Sequence, residues 1–148
     1  MKRVLVAVDD SDASHRAATF VNYFFDGMDV EIWAVNVAPA AAPRIPAGVI
    51  WGGLYAWPYD VRPELLVEAE REAEKKSERT VLDSGLQEAK PIIAVGDPVV
   101  AIQRAADERN VDLIIVGSHD KSLLQRIISP SVSRELAHHP TRPVLVVP

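Results

Sequence analysis

Two clusters of polar residues in this sequence have the types and spacing to do chemistry. The first is residues 9–12, where Asp9, Asp10, Ser11 and Asp12 directly follow an apolar run. Carboxylate oxygens are ligands that Mg²⁺ takes in proteins, so this cluster could seat a divalent ion. The same residue types also form turns and cap helices, and the sequence favours that second interpretation because a helical pattern follows at once.

The second cluster begins at residues 117–121, which hold a glycine, a serine, a histidine, an aspartate and a lysine. Residues 129–133 then place three serines around a proline and a valine. The start of a helix there would offer free N–H groups and a positive dipole end to an anion. Helix capping by Ser129 and Ser131, with Pro130 in the first turn, is the alternative, and the sequence favours it. Lys121 and Arg126 could neutralise a bound anion or could be ordinary surface charges.

Other kinds of catalytic site find little support. The four histidines are not spaced as a zinc ligand set, and the sequence has no cysteine. It also has no nucleophile elbow, no Walker motif and no dinucleotide-binding glycine motif. We therefore expect a protein that is not a committed enzyme. The histidines are His15, His119, His138 and His139.

Length and composition indicate one domain spanning residues 1–148. The chain has 148 residues, of which 48% are hydrophobic and 25% are charged. A net charge of -5 argues against a nucleic-acid-binding face. No stretch approaches the roughly 18 apolar residues of a membrane helix, so we expect no membrane span. Together with the absence of cysteine, these features favour a cytoplasmic protein.

The elements that must position these clusters alternate between strands and helices. Five apolar runs predict strands at residues 4–8, 30–37, 91–95, 113–116 and 144–147. Most are continuously apolar, which is typical of strands covered by helices on both faces. Alternation of this kind predicts an open, doubly wound parallel sheet of the α/β class. Its ligand crevice would lie at the carboxyl ends of the strands, where both polar clusters fall.

Helical patterns fill the intervals between the strands. The charged stretch at residues 63–86 is one of them, and its charges indicate a solvated face. Another begins at Asp97, an N-cap residue followed by Pro98. The predicted buried stripes are Ala17, Ala18, Val21, Phe24, Phe25 and Met28, with Gly27 as a stop signal, then Val99, Ile102, Ala105 and Ala106, and last Leu123, Leu124, Ile127, Ile128, Val132 and Leu136.

One connection, from Pro39 to Pro63, is unusually long and rich in proline, glycine and aromatic residues. Structureless loops longer than about 12–15 residues are uncommon in compact domains. Two interpretations stay open with equal weight. The loop packs over the crevice or a subunit contact, or it is a mobile surface loop whose aromatic residues cover the edge of the domain.

Four segments carry a resemblance to a known family. They are VLVAVDDSDAS at the start, GDPVVAI after the third strand, DLIIVGSH around the fourth, and RPVLVV at the end. In this order and over nearly the whole chain, they resemble the universal stress protein family. The resemblance implies an adenine nucleotide alpha hydrolase-like fold with strand order 3-2-1-4-5. It also implies dimerisation through the last strand, in many members of the family.

One branch of that family binds ATP through a Gly-x-x-Gly, nine-residue, Gly-Ser/Thr pattern. Aligned on this chain, the pattern begins at Gly117, meets Asp120 at its second glycine, and ends at Pro130 and Ser131. An ionised aspartate repels a triphosphate unless a divalent ion bridges the two, and proline has no N–H to donate. The resemblance therefore implies a nucleotide-shaped crevice with a degenerate ATP site.

The resemblance also assigns candidate ligand-binding residues. They are Asp9 after the first strand, Val37 on the adenine side, and Gly117, Ser118, Ser131, Val132 and Ser133 on the phosphate side. The cofactor it implies is ATP or another adenine nucleotide. Our leading hypothesis is a stress-response regulatory or binding protein without stable ATP binding. The alternatives are an ATP-binding member that hydrolyses ATP slowly and, from another class, a nucleotidyl-transfer or flavoprotein-like enzyme.

The last predicted strand, Val144–Val147, is apolar and lies at a sheet edge. An edge of this kind invites pairing with another chain, and a symmetric antiparallel homodimer is the simplest closure. We therefore expect a homodimer formed through this strand.

Overall fold

The computed structural model describes residues 1–38, 63–118 and 132–148. Strands and helices alternate along the described chain, as the sequence predicts. They are β1 (Lys2–Ala7), α1 (Asp12–Phe24), β2 (Val30–Ala38), α2 (Pro63–Asp83), β3 (Lys90–Val95), α3 (Pro98–Glu108), β4 (Leu113–Gly117), α4 (Val132–His138) and β5 (Val144–Val147). In the part of the chain that the structure describes, no helix is both long and apolar enough to cross a membrane.

The five strands form one parallel sheet in the order β3-β2-β1-β4-β5, which confirms the predicted α/β architecture and its strand order. Strand order reverses between β1 and β4, and in open α/β sheets the ligand crevice lies beyond the carboxyl ends of the strands at such a reversal. The central strands are buried on both faces, as shown by Val4, Leu5 and Val6 of β1. This is why the central strands are continuously apolar rather than alternating.

Helices cover both faces of the sheet. On one face, Ala17 and Val21 of α1 and Val81 of α2 share a core with Val4 and Val6 of β1. On the other face, residues of α3 and α4 pack around Leu5 of β1; they include Ile102, Ala105, Ala106 and Leu136. The predicted stripe of α3 is confirmed, with Val99 partly buried at its edge. The expected cap is present too, because the Asp97 side chain accepts a hydrogen bond from Val100 N.

The end of α1 differs from the predicted stripe. The helix ends at Phe24, Phe25 is its C-cap, and Gly27 with φ +70° lies in the turn that follows. Met28 therefore lies outside the helix, and its side chain is 54% exposed. Phe24 is 50% exposed although it lies within the helix. Phe25 is partly buried against the core, so the predicted stripe is confirmed there and wrong at Phe24 and Met28.

Other boundaries shift by a few residues. The helix α2 ends at Asp83 rather than near residue 86, and Gly85 turns the chain with φ +81°. The predictions for residues 39–62 of the long loop, and for Leu123, Leu124, Ile127 and Ile128, lie outside the described residues.

Candidate functional site

Three neighbouring strands bring most of the described candidate residues to one edge of the sheet. Val37 is the penultimate residue of β2, Asp9 follows β1, and Gly117 ends β4 with Ser118 after it. Because β1 lies between β2 and β4 in a parallel sheet, these residues meet at the carboxyl edge beside the strand reversal. Ser131 lies outside the described residues, while Val132 opens α4 and Ser133 is buried in its first turn.

The loop after β1 is a tightly bonded turn. The Asp9 side chain accepts hydrogen bonds from the Ser11 backbone N–H, at 2.9 Å, and from the Ser11 hydroxyl. Ser11 is the N-cap of α1 and accepts a bond from Ser14 N at 3.2 Å. The structure thus agrees with the turn-and-cap interpretation of residues 9–12, with Ser11 as the cap.

The carboxylates of this loop make different contacts. Asp10 Oδ1 accepts a hydrogen bond from Thr80 Oγ1 of α2 at 2.9 Å, whereas Asp12 lies in the first turn of α1. Among residues 1–38, 63–118 and 132–148, no group of three or more His, Cys, Asp or Glu side chains is arranged to hold a metal ion. Asp9 and Asp10 therefore brace the β1–α1 loop in the described structure.

Two further side chains fix the backbone of this loop. The buried Ser14 hydroxyl accepts a hydrogen bond from Asp9 N at 2.9 Å. Asn36 of β2 donates from Nδ2 to the Val8 carbonyl at 2.7 Å. The available signal for Ser14 was a polar residue three positions after the N-cap, between the apolar Ala13 and Ala17. Together, Ser14 and Asn36 hold the Asp9 wall of the crevice in one position.

Gly117 is held by close packing against α1. A Cβ at this position would lie 2.2 Å from the Ala13 carbonyl oxygen and 2.4 Å from its carbonyl carbon. Side-chain carbons do not approach backbone atoms this closely, so only glycine fits between β4 and the first turn of α1. This packing requirement is independent of any ligand.

The backbone of Ser118 is fully engaged by protein groups. Its N–H donates to the Val147 carbonyl at 2.6 Å, and its carbonyl accepts from Arg16 Nη2 at 3.2 Å. Arg16 also donates from Nε to the Pro148 oxygen at 3.0 Å. The contribution Ser118 could make to a ligand is therefore its hydroxyl, because its amide is already bonded to β5.

The crevice thus has two walls of different chemistry. The β1 wall presents a carboxylate held by serine donors, and the β4 wall ends in a glycine and a serine whose backbone contacts are internal.

Comparisons with known proteins match this geometry to one family. The sequence model of the universal stress protein family matches residues 1–148. Universal stress protein YxiE of Bacillus subtilis is 30% identical over 148 residues, covering 98% of this chain and 97% of its own. The solved structure of MJ0577 from Methanocaldococcus jannaschii is 28% identical, covers 99% of this chain and 94% of its own, and superposes with a TM-score of 0.65.

Two further solved structures share the fold and contain adenine nucleotides. A universal stress protein from Archaeoglobus fulgidus in complex with dAMP is 21% identical, with a TM-score of 0.54 over 100% of this chain and 98% of its own. Another, in complex with cAMP, is 20% identical, with a TM-score of 0.58 over 99% of this chain and 95% of its own. With strand order, crevice and whole-chain match in agreement, this chain belongs to the universal stress protein family.

Proposed function

We propose that this protein is a dimeric, cytoplasmic regulatory or binding protein whose crevice accepts an adenine nucleotide with a single phosphate and does not hold a triphosphate stably. It acts through ligand occupancy or protein contacts, and turnover is not part of its role. Asp9 and Val37 contact the nucleoside, while Ser118, Ser131 and Ser133 surround the phosphate end beside Gly117 and Val132.

The observation that carries this proposal is the engaged backbone of Ser118. A triphosphate needs several backbone N–H donors at the end of β4, and the Ser118 N–H is bonded to Val147 O at 2.6 Å. The sequence adds Asp120 and Pro130 where the ATP-binding pattern has glycines. A carboxylate and a missing N–H both oppose a highly charged ligand.

The solved relatives support the choice of ligand class. The proteins crystallised with dAMP and cAMP share this fold, and both of those ligands have an adenine base and one phosphate. A ligand of that size needs fewer phosphate contacts than ATP. It can use the side-chain acceptors on the Asp9 wall for its hydroxyl groups.

Thermal unfolding with added nucleotides tests the proposal. Saturation at 100 times Kd stabilises a protein by about 2.7 kcal/mol, which for a domain of this size raises Tm by roughly 5–10 °C. We expect AMP to produce such a shift and ATP, with or without Mg²⁺, to produce a smaller one at equal concentration. Isothermal titration calorimetry of the same ligands provides the Kd values.

Asp9→Asn removes the carboxylate of the crevice and should abolish the AMP shift. Asp29→Asn is the matched control, because Asp29 is an exposed carboxylate at the start of β2, at the opposite end of the sheet. Tighter binding of Mg-ATP than of AMP would replace this proposal with the ATP-binding alternative. An AMP shift retained in Asp9→Asn would remove Asp9 from the site.

A further inference from the structure

The two flanks of α1 face different parts of the molecule. On one flank, Asn22 donates from Nδ2 to Gly85 O at 2.7 Å and accepts from Gln87 N at 3.0 Å, which ties α1 to the connection between α2 and β3. On the other flank, Arg16 donates to the Pro148 oxygen beyond the end of β5. The Arg16 flank is therefore the one directed toward the β5 edge of the sheet.

Aromatic side chains occupy this flank. Phe20, Tyr23 and Phe24 follow Arg16 at intervals of four, seven and eight residues, so they share its side of the helix. We call these three residues the aromatic strip. The rings of Phe20 and Phe24 stack with centroids 5.2 Å apart, and Tyr23 is 85% exposed. An open groove of about 560 Å³ lies along the outer side of α1, and Phe20 and Tyr23 line it together with the polar residues Asp12, His15, Arg16 and Thr19.

The aromatic strip borders a strand edge that is ready for pairing. Val147 O accepts from Ser118 N and Pro143 O accepts from Ile114 N, so alternate residues of β5 point their polar groups toward β4. The N–H and C=O groups of Val144 and Val146 consequently point away from the sheet. Leu145, between them, packs into the same core as Phe20. The aromatic strip thus lies on the flank of α1 that is nearer the β5 edge.

The geometry of a symmetric dimer brings two such strips together. When identical edge strands pair antiparallel, the twofold axis is perpendicular to the sheet, so both copies of α1 lie on the same face. The helix packs chiefly over β4. Three strand spacings then separate the two α1 axes, which is about 14 Å. Directly packed helices are about 8–10 Å apart, so only long side chains can fill the remaining space.

We propose that the aromatic strip is a second layer of the subunit interface, in which each copy of α1 packs Phe20, Tyr23 and Phe24 against the same residues of a second copy of this chain. The inference rests on the proposed dimer. A stable interface buries roughly 800 Å² on each partner, and the area of three side chains is well below that. Pairing of the β5 strands would supply the missing area, and only a second copy of this chain brings a second β5 strand.

Sedimentation equilibrium of the full chain tests the inference. Tyr23→Ala removes one ring from each subunit, and aromatic residues dominate interface energies, so we expect the dimer Kd to rise at least tenfold. Tyr23→Phe keeps the ring and should keep the wild-type Kd. Because Tyr23 is 85% exposed in the single chain, its replacement should leave the Tm of the monomer unchanged.

Leu82→Ala is the matched control. Leu82 is a 71% exposed apolar residue of α2, which packs over β2 and β3, far from the β5 edge, so its loss should leave the dimer Kd unchanged. If the wild type is dimeric and Tyr23→Ala has the same dimer Kd, the second layer is overturned and the proposed β5 dimer is not affected. A wild-type protein that is still monomeric at about 100 μM would overturn both the second layer and the β5 dimer.

Discussion

The two edge strands of the sheet, β3 and β5, differ in the residues that border their outward-facing hydrogen-bonding groups. Gly96 N donates to Ala38 O of β2, so by alternation Pro91, Ile93 and Val95 face away from the sheet. Proline has no N–H, and Lys90 adds a charge at the start of that strand. The β5 edge presents the outward N–H groups of Val144 and Val146 and contains no proline or charge.

This difference indicates which edge is built to be paired. Proline and lysine on an edge strand discourage the addition of another strand, whereas an uninterrupted apolar edge invites it. The helix beside each edge follows the same division. The flank of α1 near β5 carries the aromatic strip, and the exposed surface of α2 near β3 is mostly charged. Among the described residues, the β3 edge thus carries a proline and a charge, and the β5 edge carries neither.

The largest expected effect comes from blocking the open edge. Val146→Pro removes an outward N–H from each subunit and leaves the hydrogen bonds between β4 and β5 in place. Two lost backbone hydrogen bonds, at about 1.4 kcal/mol each, raise the dimer Kd by about 100-fold. Sedimentation equilibrium measures this change.

Ile93→Pro makes the same chemical change at an outward position of β3, so it is the control for a general effect of proline on the fold. We expect it to leave the dimer Kd unchanged. If Ile93→Pro weakened the dimer and Val146→Pro did not, the assignment of the two edges would be reversed.

A smaller effect is expected from filling the contact between α1 and β4. Gly117→Ala places a Cβ against the Ala13 backbone, and α1 must move to accommodate it. Overpacking of this kind costs about 1–3 kcal/mol of unfolding free energy, which urea denaturation can measure. Because α1 carries the aromatic strip, its shift should weaken the dimer as well.

The double variant Ala13→Gly with Gly117→Ala distinguishes the source of that strain. The two closest atoms are the Ala13 carbonyl oxygen and carbon rather than its side chain, so deletion of the Ala13 methyl group should not restore stability. Full recovery in the double variant would contradict the backbone contact.

Much of this architecture follows from the sequence, because its signals are local. Continuous apolar runs identify all five strands, and Asp97 with Pro98 identifies the start of α3. The end of α1 could not be predicted in this way, since the spacing that places Val21 in the core also continues through Met28, four residues beyond the last residue of the helix. Burial, which depends on the rest of the fold, determines where the stripe stops.

The contacts of the candidate site depend on long-range geometry. Arg16 is 102 residues from Ser118 and 132 residues from Pro148, and no spacing rule connects them. The resemblance brought Gly117 and Ser118 to attention as ligand contacts. It could not reveal that the Ala13 backbone packs directly against Gly117, or that the Val147 carbonyl accepts the hydrogen bond of the Ser118 N–H.

The smallest expected effect lies at the amino end of β2 and β3. Glu31 accepts hydrogen bonds from Lys90 Nζ and from Arg3 Nε, the latter at 3.1 Å. The hydrogen bond from Lys90 is the main cause that lowers the pKa of Glu31 below its usual value. A carboxyl group whose pKa is lower in the folded state stabilises the fold above its unfolded pKa, about 4.3, and this stabilisation is lost as pH falls through the folded value.

Urea unfolding between pH 7 and pH 3 should show a shallower loss of stability in Glu31→Gln than in the wild type. Glu72→Gln, at an exposed position of α2, is the control and should follow the wild-type profile. Neither substitution should alter the dimer Kd, since Glu31 lies on the β3 side of the sheet. An identical acid profile for wild type and Glu31→Gln would show that this ion pair contributes nothing.

The fit of Gly117 against Ala13 has a consequence for how the ATP-binding pattern is interpreted in this chain. Close packing against Ala13 is by itself sufficient to require glycine at position 117 of this chain, whether or not the crevice holds a nucleotide. A match of the ATP-binding pattern at Gly117 is therefore not by itself evidence of a ligand contact in this chain. The second and third glycines of the pattern are therefore the more informative positions when new sequences are classified.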